Sequence, residues 1–316
     1  MRNKIIIATW AFALAAAAAA WASPPSYTYW SKWGSRGERV GQFRSPAAIA
    51  ISDRYGRVFV ADRGNNRFQR FTLSGGYGSE RTGYSNPSGI AVVPATGYFY
   101  VAESNAHRVR RLTPSMQVIG SWGSYGTGNG QFRYPQGLTV APATGYVYVC
   151  DRDNDRVQYF TSTGSFRGTL TSGIDFPGDV AVAPNGNVYV TDCSNHRVAY
   201  FTPAGSLIGR WGSFGTGNGQ FNQPRGIAAS GQGYIFVTDS ENHRIQFFTT
   251  TGSYLGKWGS YGTANGQFNR PYGVAVTGDG GYVYVCELTN CRVQYFRNAS
   301  TGIRPASLGR VKALFR

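Results

Sequence analysis

An acidic residue followed five positions later by an arginine is the recurring pair of chargeable side chains in this sequence. The six pairs are Asp62/Arg67, Glu103/Arg108, Asp151/Arg156, Asp192/Arg197, Asp239/Arg244 and Glu287/Arg292. Each pair brackets four residues, the length of a common hairpin loop, so the acid and the arginine can form a charge-assisted hydrogen bond across the turn. Asparagine occupies the third loop position in five copies, where we predict a left-handed backbone. We expect all six pairs to be structural.

A ring of six carboxylates could instead bind a metal ion. Each acid has its own arginine to neutralise it, however, and repetition in every copy indicates architecture. All three histidines occupy the fourth loop position, which indicates a preference of the repeat and not a ligand cluster. They are His107, His196 and His243. Acids outside the pairs, such as Asp175, Asp179 and Asp279, show no paired-carboxylate spacing. We therefore assign no catalytic residue, no metal ligand and no cofactor.

The hairpins belong to a longer repeat that opens with the pattern F/Y-x-x-P-x-G/A. Its prolines recur about every 45 residues, a period that signals an array of identical supersecondary units. They are Pro46, Pro87, Pro135, Pro177, Pro224 and Pro271. Each copy predicts four strands, which in the fifth copy are Gly226–Ala229, Tyr234–Thr238, Arg244–Phe248 and Tyr254–Trp258.

The repeated unit resembles the NHL repeat over about residues 27–298. The resemblance implies an all-β fold, a six-bladed β-propeller of four-stranded antiparallel blades. The sixth copy ends after its third strand, and Trp33 lies ten residues before Phe43, as Trp258 lies ten before Phe268. We therefore predict that the N-terminal strand Tyr27–Trp33 completes the last blade and closes the ring, which removes open sheet edges.

Both ends of the chain differ in composition from the repeats. Residues 1–22 have a basic start, an apolar run and an A-x-A site, which predicts a signal peptide cleaved after Ala22. A membrane anchor is the alternative, although the apolar run is short, and no other apolar run could span a bilayer. Residues 299–316 form a basic tail that could contact a membrane surface, a partner or an export receptor, or dock lightly on the propeller. We expect a propeller of residues 23–298 that is secreted, periplasmic or attached to the cell surface.

The formal net charge is +16, while charged residues make up only 15% of the chain. An aromatic content of 15% excludes a disordered glycine-rich chain. The positive charge fits an anionic partner or a role in solubility, and composition does not choose between them.

In antiparallel blades, the loops between second and third strands share one face with the connections between blades. Variation between copies concentrates on this face, and loops on a rigid scaffold often bind ligands. Basic and aromatic residues near the inner strands are predicted to rim the central channel there. They are Arg44, Arg133, Tyr134, Arg225, Arg270 and Tyr272. Arginine suits acidic groups and tyrosine offers a stacking surface, although the same charges could simply be solvated.

The four cysteines also lie toward this face. Export would permit disulfides, and Cys286–Cys291 and Cys150–Cys193 are candidate pairs. Buried free thiols are the alternative, because Cys150 and Cys286 occupy a position that is alanine or threonine in other copies.

NHL propellers, by resemblance, include binding platforms, receptor sensors, RNA-binding intracellular proteins and one class of metal-dependent enzymes. We expect a secreted, non-catalytic binding or scaffold module whose ligand is a protein or an acidic glycan. The alternative is a metal-assisted enzyme in the channel, similar to amidating lyases or lactonases. Export argues against a nucleic-acid partner, and we expect a monomer.

Overall fold

The structure is a computed structural model that describes residues 24–300, which form 24 strands and three short 3-10 turns. In chain order the strands are β1 (Tyr27–Trp33), β2 (Pro46–Ser52), β3 (Arg57–Asp62), β4 (Arg67–Thr72), β5 (Tyr77–Arg81), β6 (Pro87–Val92), β7 (Phe99–Glu103), β8 (Arg108–Leu112), β9 (Val118–Trp122), β10 (Pro135–Val140), β11 (Val147–Asp151), β12 (Arg156–Phe160), β13 (Phe166–Leu170), β14 (Pro177–Val182), β15 (Val188–Asp192), β16 (Arg197–Phe201), β17 (Leu207–Trp211), β18 (Pro224–Ala229), β19 (Tyr234–Asp239), β20 (Arg244–Thr249), β21 (Tyr254–Trp258), β22 (Pro271–Val276), β23 (Tyr282–Glu287) and β24 (Arg292–Asn298). The predicted leader, residues 1–22, lies outside the described residues, as does the tail beyond residue 300.

The strands form six four-stranded antiparallel sheets, which are the blades of a propeller. Blades 1 to 5 are β2–β5, β6–β9, β10–β13, β14–β17 and β18–β21, and blade 6 has the order β22, β23, β24, β1. The predicted all-β six-bladed fold is confirmed. Within residues 24–300, no helix has the length and hydrophobicity needed to cross a bilayer.

Strand β1 closes the ring, as predicted. It pairs antiparallel with β24, from Tyr27 opposite Asn298 to Trp33 opposite Val293. Tyr27 also anchors the strand to blade 5, because its ring stacks on Trp258 at 5.1 Å. Its hydroxyl donates a hydrogen bond of 3.0 Å to the Gly280 carbonyl. The first strand thus joins the two ends of the array without a covalent link.

The apolar core lies between blades. Each of the six apolar clusters combines residues of two adjacent blades, so the second strand of every sheet is buried on both faces. This explains the unbroken apolar runs in the second strands, since a sheet buried on both faces has no polar side to alternate with.

The spacing from tryptophan and glycine to phenylalanine has a steric cause. Phe43, Phe132, Phe221 and Phe268 are fully buried, and each ring contacts the glycine that follows the tryptophan. At Gly259 the φ angle is +102°, and an added Cβ would lie 2.5 Å from the Phe268 ring. Only glycine fits both the left-handed backbone and the close approach. The pattern therefore fixes where each long connection turns back to the ring.

Candidate functional site: the connection face and the channel

All six acid–arginine pairs form at one end of the ring, which we call the connection face. Five have N–O distances of 2.6 to 2.8 Å, and Arg292 and Glu287 also pair. Every carboxylate is fully buried, and each also accepts a backbone N–H from the end of a connection. The arginine of blade 5 donates further to the carbonyls of Thr216, Gly217 and Gln220. These acids and arginines therefore hold connections to blades.

The predicted left-handed backbone at the third loop position is wrong. The left-handed residue is the fourth, with φ between 51° and 56° in every copy. These residues are Asn66, His107, Asp155, His196, His243 and Cys291. The third-position asparagine instead donates from Nδ2, as Asn65 does to Asp62 and to the Gly37 carbonyl, both at 2.9 Å. Asparagine is thus needed at this position because its amide donates to the buried acid. The backbone preference of asparagine does not predict this role.

The histidines connect neighbouring blades. Nδ1 of His107 accepts the backbone N–H of Tyr134, at the start of the following blade, at 3.2 Å. In the same way His196 accepts the N–H of Gln223, and His243 that of Arg270. In blade 1 the amide oxygen of Asn66 does this for Asn86 at 2.9 Å. Burial lowers the pKa of His107 and of His243, partly opposed by nearby carboxylates. The neutral ring is thus favoured, as an accepting Nδ1 requires.

The six predicted rim residues do not form one cluster. Arg44 pairs with Glu38 at 3.2 Å and Arg270 with Glu241 at 2.7 Å, and both arginines are exposed. The Arg133 guanidinium lies over the Tyr125 ring at 5.4 Å. Tyr134, Arg225 and Tyr272 belong to a separate arrangement that runs across four blades.

That arrangement, the rim stack, consists of Tyr134, Arg152, Phe176, Arg225 and Tyr272. Arg152 lies 5.1 Å from the Tyr134 ring and 4.7 Å from the Phe176 ring. Arg225 lies 5.5 Å from Phe176 and 5.9 Å from Tyr272. Arg152 is next to Asp153, with which it pairs. Arg225 has no ion pair among the described residues, and its guanidinium donates to Gln223 at 2.9 Å and to the Cys193 sulfur.

Sequence reasoning missed Arg152 and Phe176. Their signal is positional, because Arg152 directly follows a hairpin acid and Phe176 directly precedes a repeat proline. At each of these two positions three of the six copies have a small or polar residue, and the other three have a larger apolar, aromatic or cationic one.

The central channel is lined by the six inner strands and encloses a cavity of about 230 Å³. Arg225 and Tyr272 line it near the connection face, and Asp179 supplies the one carboxylate among its lining residues in the described part of the chain. In the other copies the position of Asp179 is alanine or glycine, a signal the sequence analysis did not use. The Asp179 carboxylate accepts N–H groups from Val180 at 2.9 Å and Ile227 at 3.2 Å. Burial nevertheless raises the pKa of Asp179 to about 7.

All four cysteines are buried free thiols in the structure, so the predicted disulfides are not formed. In blade 6, Cys286 accepts the Gly273 N–H at 3.3 Å, while Cys291 points to the Leu288 and Thr289 carbonyls of its own loop. The two sulfurs of this pair therefore face different surroundings. The Cys193 thiol donates to the Pro224 carbonyl, and burial raises its pKa to about 11. Among residues 24–300, no three His, Cys, Asp or Glu side chains are arranged to hold a metal ion.

Comparisons with known proteins agree with this architecture. The NHL repeat family model matches residues 132–160, 175–201 and 221–248, each running from the start of a blade through its third strand. No curated protein matches the sequence.

Several solved structures are similar in fold. A protein of unknown function from Bacteroides thetaiotaomicron has a TM-score of 0.71 and 15% identity, over 86% of this chain and 76% of that one. Virginiamycin B lyase from Staphylococcus aureus has a TM-score of 0.60 and 14% identity, over 86% and 99%. Kuenenia stuttgartiensis hydrazine synthase has a TM-score of 0.61 and 12% identity, over 84% and 98%. At these identities the likeness concerns the fold alone. The chain is therefore a six-bladed β-propeller in which three segments match the NHL repeat and the same unit recurs in every blade.

Proposed function

We propose that this protein is an exported, monomeric, non-catalytic binding propeller whose connection face recognises an acidic glycan. The rim stack is the observation that carries the proposal. Arg225 lies between the rings of Phe176 and Tyr272 and has neutral hydrogen-bond partners, so its charge is available to a carboxylate or sulfate. Because Arg225 has no ion pair among the described residues, an anionic group would be its first charged partner.

Exposed aromatic rings on the same face support a sugar-like ligand. Tyr125, Phe214 and Tyr261 are 60%, 65% and 67% exposed. Each ring packs against a hairpin histidine at 4.9 or 5.0 Å, so it is held in place although its outer face is open to solvent. Rings presented in this way suit stacking with the apolar faces of sugars, and the net charge of +16 favours a polyanion.

The test is binding to an array of sulfated, uronic-acid and neutral oligosaccharides, with Arg225→Gln as the variant and exposed Arg167→Gln as its matched control. We expect acidic glycans alone to bind. Their binding should weaken from 0.1 M to 1 M salt, as the screening length falls from about 10 Å to about 3 Å. Arg225→Gln should lose about tenfold or more in affinity at an unchanged Tm, and Arg167→Gln should lose none.

Several outcomes would overturn the proposal. These are equal binding of neutral glycans, an unaffected Arg225→Gln variant, or binding lost only when residues 301–316 are removed, which would place the function in the tail. Specific capture of an acidic protein with no glycan binding would favour the protein ligand instead.

An enzyme in the channel is the second candidate function, and Asp179 is the observation that favours it. A carboxyl group with a pKa of about 7 suits general acid–base chemistry at neutral pH. The test is product formation from the bound glycans, followed by mass spectrometry. Asp179→Ala should abolish turnover and retain binding if this candidate is correct, whereas no product from any bound glycan would reject it.

A further inference from the structure

A second cavity lies at the opposite end of the ring, where blade 6 meets blade 1. This seam cleft has a volume of about 800 Å³. Its principal walls are Tyr55, Arg57 and Arg70 from blade 1 and Tyr282, Tyr284 and Tyr295 from blade 6. A smaller cavity of about 360 Å³ adjoins it and shares Tyr55, Arg57 and Arg70. The two arginines therefore stand between two open spaces.

The seam cleft has a cause in the sequence. Strands two and three of blades 3 to 6 each contribute one ring to an aromatic pair, as Tyr284 and Tyr295 do in blade 6 at 4.9 Å. In blade 1 the position equivalent to Tyr295 is Arg70. The equivalent arginine of blade 2, Arg111, lies over the Tyr98 ring at 5.1 Å. Arg70 thus departs from the aromatic pairing of the repeat.

The turn after β2 gives the seam cleft a braced wall. This turn contains the 3-10 segment Asp53–Tyr55. The Asp53 carboxylate accepts the Gly278 N–H of blade 6 at 2.6 Å, and the Tyr55 hydroxyl donates to the Thr96 carbonyl of blade 2 at 3.2 Å. Contacts on both sides hold the wall, so the cavity is formed before any ligand arrives.

The two arginines of the seam cleft have unsatisfied charge. Neither Arg57 nor Arg70 has a carboxylate within 4.0 Å among the described residues. Burial, and then the charge of Arg57, lower the pKa of Arg70. The two acids that line the cleft already have donors, since Asp53 of blade 1 accepts the Gly278 N–H and Asp279 of blade 6 accepts from the Thr277 hydroxyl and the Gly281 N–H. Arg57 and Arg70 carry like charges and repel each other, so an anion bound between the two guanidinium groups would relieve the repulsion.

The opposite wall is aromatic. Tyr284 and Tyr295 are stacked with an interplanar angle of 5°, and both are buried. Tyr282 lies 6.2 Å from Tyr295, and its buried hydroxyl has no hydrogen-bond partner. A ring-shaped ligand would meet apolar surface here together with one unused polar group.

We propose that the seam cleft binds a small organic anion that carries a ring. Its carboxylate, sulfate or phosphate lies against Arg57 and Arg70, and its ring lies against the tyrosines of blade 6. Asp279 on the blade 6 side repels the charged end, which favours its orientation toward the two arginines of blade 1. This site is independent of the rim stack, which lies on the connection face.

The experiment uses naphthalene sulfonate as the probe and uncharged naphthalene sulfonamide as its isostere, with affinities measured by calorimetry. We expect the sulfonate to bind about tenfold or more tightly than the sulfonamide. Arg57→Gln and Arg70→Gln should each weaken sulfonate binding by a similar factor. Exposed Arg167→Gln is the matched control and should change nothing.

A further variant, Arg70→Tyr, restores the aromatic residue of the repeat and should fill the seam cleft. It should fold with a Tm at least equal to that of the wild type and should not bind the sulfonate. Equal affinity for the sulfonamide, retained affinity in Arg70→Gln or Arg70→Tyr, or no sulfonate binding at millimolar concentration would overturn the proposal.

Discussion

The hairpin ion pairs and the rim stack lie on the same face and both contain arginines, but they use the guanidinium differently. In blade 5, Arg244 bonds Asp239 and three connection carbonyls, so each of its nitrogens has a partner. Arg225 bonds the neutral Gln223 and Cys193 side chains and otherwise lies against aromatic rings. The repeat arginine of blade 5 is thus saturated by carboxylate and backbone acceptors, whereas Arg225, which departs from the repeat, has no carboxylate partner among the described residues.

The hairpin pairs also differ among themselves. In blades preceded by a ten-residue connection, a glutamine two residues after the arginine completes the network. Gln246 illustrates this, since it accepts the Gly219 N–H and donates to the Gln220 carbonyl. Blades 2 and 4 have short connections and lack this glutamine, and their arginines are the most exposed, at 36% and 26%. The length of the connection thus determines how much of the pair is buried.

The largest predicted effect is the loss of a saturated pair. Asp239→Ala should lower the free energy of unfolding by about 3–5 kcal/mol, because it leaves Arg244 buried without its carboxylate. Burial raises the pKa of Asp239, so this cost comes from the stranded arginine more than from the strength of the pair. Urea unfolding measures it. The more exposed ion pair between Arg270 and Glu241 gives the control, since Glu241→Ala should cost no more than about 1 kcal/mol. Equal losses in the two variants would contradict the distinction.

The fold was predictable because the same four-stranded pattern occurs six times in the sequence. Strand β1 was located within the last blade from a spacing of ten residues, since the same steric contact between glycine and phenylalanine recurs at each long connection. The acid–arginine pairs were predictable because the two residues face each other in register, as Asp239 and Arg244 do.

The site was less predictable because it depends on how side chains of different blades are oriented toward one another. The contact of Phe176 with Arg152 and Arg225 joins three copies of the repeat, and no spacing in one copy encodes it. Similarly, the sequence gives no sign that Cys193 points toward Pro224 in the next blade. A carboxylate in a glycine position, Asp179, was visible in the sequence but gained meaning only once that position was seen to line the channel.

Asp179 in the channel contrasts with the hairpin acids, because it has no arginine partner among the described residues. Asp179→Ala should raise stability at pH 8 by about 2–4 kcal/mol, because the folded protein holds a carboxyl whose pKa is about 7. The pKa in the unfolded chain is about 3.9, so the wild type loses this stability as pH rises from about 4 to 7. Melting curves from pH 4 to 8 should show the two proteins converging at pH 4. A difference that does not vary with pH would contradict the buried charge.

The glutamine of the network should have a smaller effect. Gln246→Ala should cost about 1–3 kcal/mol, because the Gly219 N–H and the Gln220 carbonyl each lose a partner in a part-buried site. Gln117→Ala, at an exposed position, should stay within about 0.5 kcal/mol of the wild type. If both variants unfolded at the same urea concentration, the network would be redundant with the ion pair.

The smallest predicted effect concerns the histidines that join blades. The pKa of His107 and of His243 is lowered in the folded state, so stability is lost as pH falls through the unfolded value of about 6.5. A protonated Nδ1 can no longer accept the N–H of Tyr134 or Arg270. Asn66 shows that an amide oxygen does the same work without titrating.

The double variant His107→Asn, His243→Asn should therefore keep the wild-type Tm at pH 7.5. At pH 5 it should be more stable than the wild type by about 1 kcal/mol or less. The contribution of Asp179 has the opposite sign, but it is present in both proteins and cancels in the difference between them. If the Tm of the double variant falls with acid as much as that of the wild type, the histidines do not titrate against these contacts. The histidines would then contribute to stability by packing in their loops, and not through a titrating hydrogen bond between blades.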